Sequence, residues 1–162
     1  NEIDLFYVEA EENTEKKYYF KDIRVLVFED NLVNIKLISR VLEDKQIAFS
    51  VAKDGKIGLD LLIKEGKYFD LILMDLHMPE QDGYETTRYI RNILKLDIPI
   101  MAMTANFSEE ERQKCLKIGM NEFLSKPYKA DIFWKKFSKL IDISKEGANC
   151  PDYDNLKYNN RN

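Results

Sequence analysis

The sequence holds little of what several common protein designs require. It has only two cysteines, Cys115 and Cys150, far apart and at no metal-ligand spacing. That leaves no disulfide framework and fits a reducing compartment. Cys115 falls on a helical pattern, where a small buried thiol is the simplest reading. The chain has no excess of positive charge. Its 25 Lys and Arg face 29 Asp and Glu, for a net charge of −4. It therefore offers no basic face for nucleic acid. The aromatic content is ordinary and gives no platform for base stacking. No run approaches the roughly 20 apolar residues of a bilayer span, so no membrane contact by this chain is expected. The acidic, polar N-terminus carries no signal-peptide pattern. The chain starts at Asn1 rather than Met, which reads as a processed or excised chain.

What is present is enough for one core. Apolar residues make up 44% of the 162 positions, ordinary for one globular domain with tails. Apart from Arg24, residues 23–28 are apolar and rich in β-branched side chains, the pattern of a strand buried on both faces. A helix follows over 31–44, with Leu32, Ile35, Ile38, Val41 and Leu42 at helical spacing. Residues 47–52 form a short strand. Asp54-Gly55 is a turn, and Asp54 caps a helix running to about Lys64. Residues 71–74 are a second fully apolar strand. The loop 76–83 leads into a helix ending near Leu94, and 98–103 is the next strand. Ser108, followed by Glu110 and Glu111, caps a helix that stops near Gly119. The last strand spans 121–124. The last helix spans 130–143, with Phe133, Phe137 and Leu140 on one face.

Strands and helices thus alternate five times. That order predicts an α/β doubly wound, three-layer sandwich built on a parallel sheet covered by helices on both faces. The domain is expected over 22–143, with a charged, Tyr-rich linker or extra element over 1–21. A polar C-terminal tail is expected over 144–162. In 1–21, the alternating stretch Ile3-Asp4-Leu5-Phe6-Tyr7-Val8 fits an edge strand, the last piece of a preceding domain, or a linker.

In a parallel sheet, ligands bind at the C-terminal ends of the strands. Four features fall there: Glu29-Asp30, Asp75, Thr104 and Lys126. Each alone has an ordinary explanation. An acidic pair serves a helix N-terminus, Asp75 is a strand-end turn carboxylate, Thr104 is a helix cap, and Lys126 is a surface lysine. Their convergence calls for another. Three carboxylates at one edge repel unless a positive charge sits among them, and a hard divalent cation suits oxygen ligands. Phosphoryl transfer depends mainly on positioning and on neutralising charge on the phosphoryl oxygens. A carboxylate nucleophile, a cation held by carboxylates, a lysine and a hydroxyl supply those needs.

These residues resemble the receiver domain of two-component response regulators. The matching pieces are Val25-Leu26-Val27-Phe28-Glu29-Asp30-Asn31, Asp75-Leu76-His77-Met78-Pro79 with Asp82-Gly83, Met103-Thr104-Ala105, and Lys126-Pro127. The start Asp30-Asn31-Leu32-Val33-Asn34 and the segment Cys115 to Tyr128 look most like receivers of hybrid histidine kinases. The resemblance implies a flavodoxin-like (βα)5 fold with strand order 2-1-3-4-5. It implies Asp75 as acceptor of a phosphoryl group from a phosphohistidine. Mg2+, or Mn2+ in its place, would be held by Glu29, Asp30, Asp75 and the backbone carbonyl of His77. Thr104 would bond the phosphoryl group and move toward it, and Lys126 would pair with it. Phe123, where many relatives have Tyr, would be the switch aromatic that turns inward. His77 and Asn106 would tune access of water. The Lys126-Pro127 bond would be cis.

The partners implied are a histidine kinase or a histidine phosphotransfer protein. The output implied is a downstream protein, or a second copy, at the face of the fourth helix, fifth strand and fifth helix. The location implied is cytoplasmic. His77, the only histidine, lies in a loop and not on a helix face, so it does not read as a phosphate-carrying histidine.

Rival readings remain. A haloacid-dehalogenase-type phosphatase needs a second Asp two residues after the nucleophile, where His77 stands. An FMN carrier needs a hydroxyl- and Gly-rich loop after the first strand, where Glu29-Asp30-Asn31 would repel phosphate. A phosphorylation-independent interaction module would lack Asp75, Asp30 or Lys126, all of which are present. Phe123 also reads as plain core, and Met101 and Met103 as core or interface filler.

Overall fold

The computed structural model describes residues 20–145. The readings made for residues 1–19, for Cys150 and for the C-terminal tail lie outside the described residues. Five strands alternate with five helices: β1 (Arg24–Phe28), α1 (Leu32–Asp44), β2 (Ala48–Ala52), α2 (Gly55–Glu65), β3 (Leu71–Asp75), α3 (Gly83–Asn92), β4 (Ile100–Thr104), α4 (Glu109–Lys117), β5 (Glu122–Ser125) and α5 (Ala130–Lys145). The strands form one sheet in the order β2-β1-β3-β4-β5, and all its pairings are parallel. Parallel registration brings Phe28 beside Met74, and Asp75 beside Met103. The ends of the three inner strands are thereby level.

Local chemistry sets the helix starts. Asn31 accepts the backbone N–H groups of Val33 and Asn34, Asp54 that of Ile57, Asp82 that of Glu85 and Ser108 that of Glu111. Each side chain satisfies donors that the first helical turn leaves unpaired. A 3-10 turn over Gly66–Tyr68 joins α2 to β3; no motif announces it. On α1 only Ile38 and Leu42 are buried, and Leu32 faces outward at 62% exposure. The apolar residues keep helical spacing, but the buried stripe is narrower than their number suggests.

The sheet separates two apolar layers. One contains Leu26, Phe28, Ile72, Met74 and Ala102 under α2, α3 and α4. The other contains Val25, Val27, Leu71, Leu73 and Met101 under α1 and α5. Alternate residues of each strand enter opposite layers, as strand pleating requires. Cys115, Met101 and Met103 are buried, in keeping with a core role. Phe20 stacks on Trp134 with centroids 5.3 Å apart and meets Phe137 edge-on at 4.9 Å. The packed unit thus reaches at least two residues before the expected start at 22.

At the sheet end opposite the carboxylates, the Arg91 guanidinium gathers the loops. It donates to the carbonyls of Gly119, Leu96 and Ile98 and to the side-chain oxygen of Asn121. Gly119 has φ +105°, in the left-handed region that favours glycine.

Gly58 of α2 lies directly against the Phe28 ring, where a Cβ would come within 2.0 Å of Phe28 Cε1. The ring is fully enclosed, so it has nowhere to retreat. Gly58→Ala is expected to lower unfolding stability by about 1–3 kcal/mol, although alanine is the better helix former. Urea unfolding checks this, and an unchanged midpoint would contradict the packing described.

Candidate functional site

Beyond the strand ends, Glu29, Asp30, Asp75, Thr104 and Lys126 come together. Glu29 continues β1, its N–H donating to the Ala52 carbonyl at 3.0 Å. Its carboxylate is buried, accepting from the Asn31 N–H at 3.1 Å and the Asn34 amide at 3.4 Å. Asp75 ends β3 and is 7% exposed. Its Oδ1 accepts the His77 N–H at 3.2 Å. Thr104, fully buried at the end of β4, accepts the Asn106 N–H at 3.2 Å. The Thr104 carbonyl accepts the Lys126 N–H at 2.6 Å. The Lys126-Pro127 bond is cis.

The Lys126 ammonium lies between the acids. It donates to Glu29 Oε2 at 2.7 Å and stands 3.6 Å from Asp75 Oδ2. Its closer partner is therefore Glu29. Carboxylate oxygens of Glu29, Asp30 and Asp75 all lie within 4.8 Å of one another. Three acids and one ammonium leave excess negative charge in a half-buried place. Oxygen donors, tight spacing and uncompensated charge together suit a hard divalent cation.

Burial pushes the Asp75 carboxyl up to about 6; Lys126 pulls it down, Glu29 raises it further, and the His77 N–H lowers it. Without a cation, the site thus disfavours the charged form of its central residue.

Gly83 sets the floor beneath Asp75. A Cβ there would lie 2.6 Å from the Asp75 carbonyl oxygen and 3.0 Å from Leu76 Cα. The Gly83 N–H donates to the Leu76 carbonyl at 3.1 Å. The first turn of α3 thereby rests on the backbone that carries the acid.

Phe123, His77 and Asn106 lie around the carboxylates. Phe123 is already turned in, at 3% exposure, with Phe107 edge-on at 5.4 Å. A phenyl ring has no hydroxyl to keep hydrated, so burying it costs no hydrogen bond. His77 directs its imidazole toward α4, with Nε2 3.6 Å from Glu111 Oε1. Asn106 contributes its backbone N–H to Thr104, and its residue is exposed. Tyr84 and Glu111 were not singled out from the sequence as site neighbours. Tyr84 Oη donates to Glu111 Oε1 at 2.8 Å. Burial, followed by this bond, holds the phenol in its protonated form.

Comparison with known proteins identifies the family. The family model for the response regulator receiver domain matches residues 25–137. The chain belongs to that family, the receiver domains of two-component systems, in which an aspartate accepts a phosphoryl group. It is 41% identical over 132 residues to hybrid signal transduction histidine kinase B of Dictyostelium discoideum, covering 74% of this chain and 7% of that protein. It is 38% identical over 111 residues to the sensor histidine kinase RcsC of Escherichia coli, covering 68% of this chain and 11% of that protein. The chain thus spans a small part of these relatives. Among solved structures, the receiver domain of sensor histidine kinase PA1611 from Pseudomonas aeruginosa is 34% identical, with a TM-score of 0.64. That match covers 74% of this chain and 98% of that one, and the structure has a magnesium ion coordinated in its active site cleft. Among the described residues no helix is long and apolar enough to cross a membrane.

The raised Asp75 carboxyl has a consequence for stability. In cation-free buffer its ionisation opposes folding, by about 1–3 kcal/mol at neutral pH. The native value lies above the ordinary one. The favourable contribution is therefore complete below pH about 4 and lost as pH rises through about 6. Asp75→Asn is expected to raise the urea midpoint at pH 7.5 in the presence of chelator, with the gain shrinking toward pH 4. A gain independent of pH would count against the raised carboxyl.

Proposed function

We propose that this chain is a working phosphoacceptor in a phosphorelay and that Asp75 is its acceptor. The observation that carries this reading is the three-carboxylate cluster with Lys126 inserted, at the ends of β1 and β3. A carboxylate oxygen of Asp75 forms the new P–O bond while the P–N bond of a phosphohistidine breaks. The electron pair of that bond stays on the departing imidazole nitrogen. Glu29, Asp30, Asp75 and the His77 carbonyl would hold Mg2+, with Mn2+ able to replace it. When bound, the cation offsets repulsion between the carboxylates and the incoming phosphoryl oxygens. Lys126 then exchanges its tie to Glu29 for one to a phosphoryl oxygen, a strong charge-assisted contact. Thr104 supplies a hydroxyl and draws the β4–α4 loop toward the site, while Phe123 packs behind that loop. His77 and Asn106 flank the entrance and set access of water.

The chain would itself supply the chemistry of phosphorylation and hydrolysis, as a switch and not as a turnover enzyme. The donor is a histidine kinase or a histidine phosphotransfer protein, and similarity to hybrid kinases favours a place within such a chain. The receiver unit would span 22–143 plus Phe20, between the segments on either side. The output would be a protein contact on α4, β5 and α5. The donor's phosphoryl group comes from ATP, so the reading includes a cytoplasmic location.

Incubation with Mg2+ and acetyl phosphate is expected to add one phosphoryl group, seen by intact mass. Chelation or Asp75→Asn should abolish it. Lys126→Ala should leave cation binding largely intact and slow phosphorylation by about tenfold or more. A normal mass shift in Asp75→Asn would sink the assignment.

A further inference from the structure

Helix α4 is held to the body more lightly than its neighbours. Its one buried residue is Cys115, against Gly55, Gly58, Leu59 and Leu62 on α2 and five buried residues on α3. Its polar ties to the body centre on Glu111, which also faces His77 Nε2 at 3.6 Å, and on the Tyr84 ring. Tyr84 Oη donates to Glu111 Oε1 at 2.8 Å, and Lys114 Nζ lies 4.0 Å from the centre of the Tyr84 ring. The ring is 7% exposed and the Glu111 side chain 15%, so the hydrogen bond is shielded from water.

Both ends of this tie lead to the site. Tyr84 follows Gly83, which is pressed onto the Asp75 carbonyl. Glu111 lies in the first turn of α4, and its N–H is bound by Ser108, four residues beyond Thr104. A Thr104 that moves toward a phosphoryl group on Asp75 pulls on Ser108 and on that first turn. The Tyr84–Glu111 bond resists the pull.

We propose that Tyr84 and Glu111 are positioning residues of the switch. Their hydrogen bond holds α4 in its unmodified arrangement and so limits how readily Asp75 is phosphorylated. The proposal rests on the reading of Asp75 as acceptor. The physical basis is reciprocity: if phosphorylation favours a shifted α4, loosening α4 favours phosphorylation.

The test uses the full chain with Mg2+ and acetyl phosphate, comparing wild type with Tyr84→Phe, Glu111→Ala, Glu111→Gln and Glu110→Gln. Tyr84→Phe and Glu111→Ala are expected to gain phosphoryl groups about fivefold faster, within the usual range of coupling. Glu111→Gln keeps an oxygen that accepts the phenol and should stay near the wild-type rate. Glu110→Gln, exposed and outside the tie, should match wild type. Mg2+ affinity should change less than about twofold throughout. A merely structural role would move affinity and rate together. Without donor, amide exchange in α4 should quicken in Tyr84→Phe while α5 stays protected. A wild-type or slower rate in Tyr84→Phe overturns the proposal, whatever the exchange result. Failure of the wild type itself to accept a phosphoryl group overturns the acceptor reading beneath it, and the wild-type arm separates the two failures.

Discussion

The contact between Lys126 and Glu29 is what makes the rest of the site tolerable. Glu29 and Asp75 are both buried or nearly so, and charges taken out of water are costly unless paired. A single ammonium at 2.7 Å from one and 3.6 Å from the other answers part of that cost. It does not answer all of it, which is why burial still pushes Asp75 up to about 6. The site is thus built short of positive charge, a deficit that suits a cation.

The sheet delivers these groups because every neighbouring strand pair is parallel and in level register. β1, β3 and β4 are apolar on both faces, so they sit in the middle with helices on either side. The polar residues at their C-terminal ends then emerge at one edge. Two close approaches keep that edge from drifting. Gly58 admits the Phe28 ring just before Glu29, and Gly83 admits the Asp75 carbonyl. Neither glycine touches the chemistry, yet each fixes the backbone beside a carboxylate.

Much of this was legible in the sequence. Alternating apolar runs and helical stripes give the element order, and the topology they imply brings Glu29, Asp30, Asp75, Thr104 and Lys126 to one edge. What escaped were contacts between residues that share no motif. Tyr84 lies 27 positions from Glu111, and nothing in their spacing links them. Arg91 resembles any helix-end arginine until four acceptors surround it. The outward turn of Leu32 and the enclosure of Phe123 depend on what packs opposite, which a single strand or helix does not encode. The 3-10 turn at Gly66–Tyr68 lacked the periodicity by which longer elements are read.

The grip of Arg91 bears on how this molecule can bend. Its guanidinium holds the Gly119 carbonyl and Asn121, just past the C-terminal end of α4, while Asn121 also accepts the Ile100 N–H. One end of α4 is therefore bolted to the entrance of β4, and the other hangs on a phenol, the His77 imidazole and a short loop. A helix fastened in this way has a fulcrum. A small tug at Ser108 would turn it about Gly119 instead of carrying it bodily away. The arm is about 15 Å long at 1.5 Å of rise per residue. An ångström-scale movement near Thr104 would then become a change in tilt along the whole face that α4 presents.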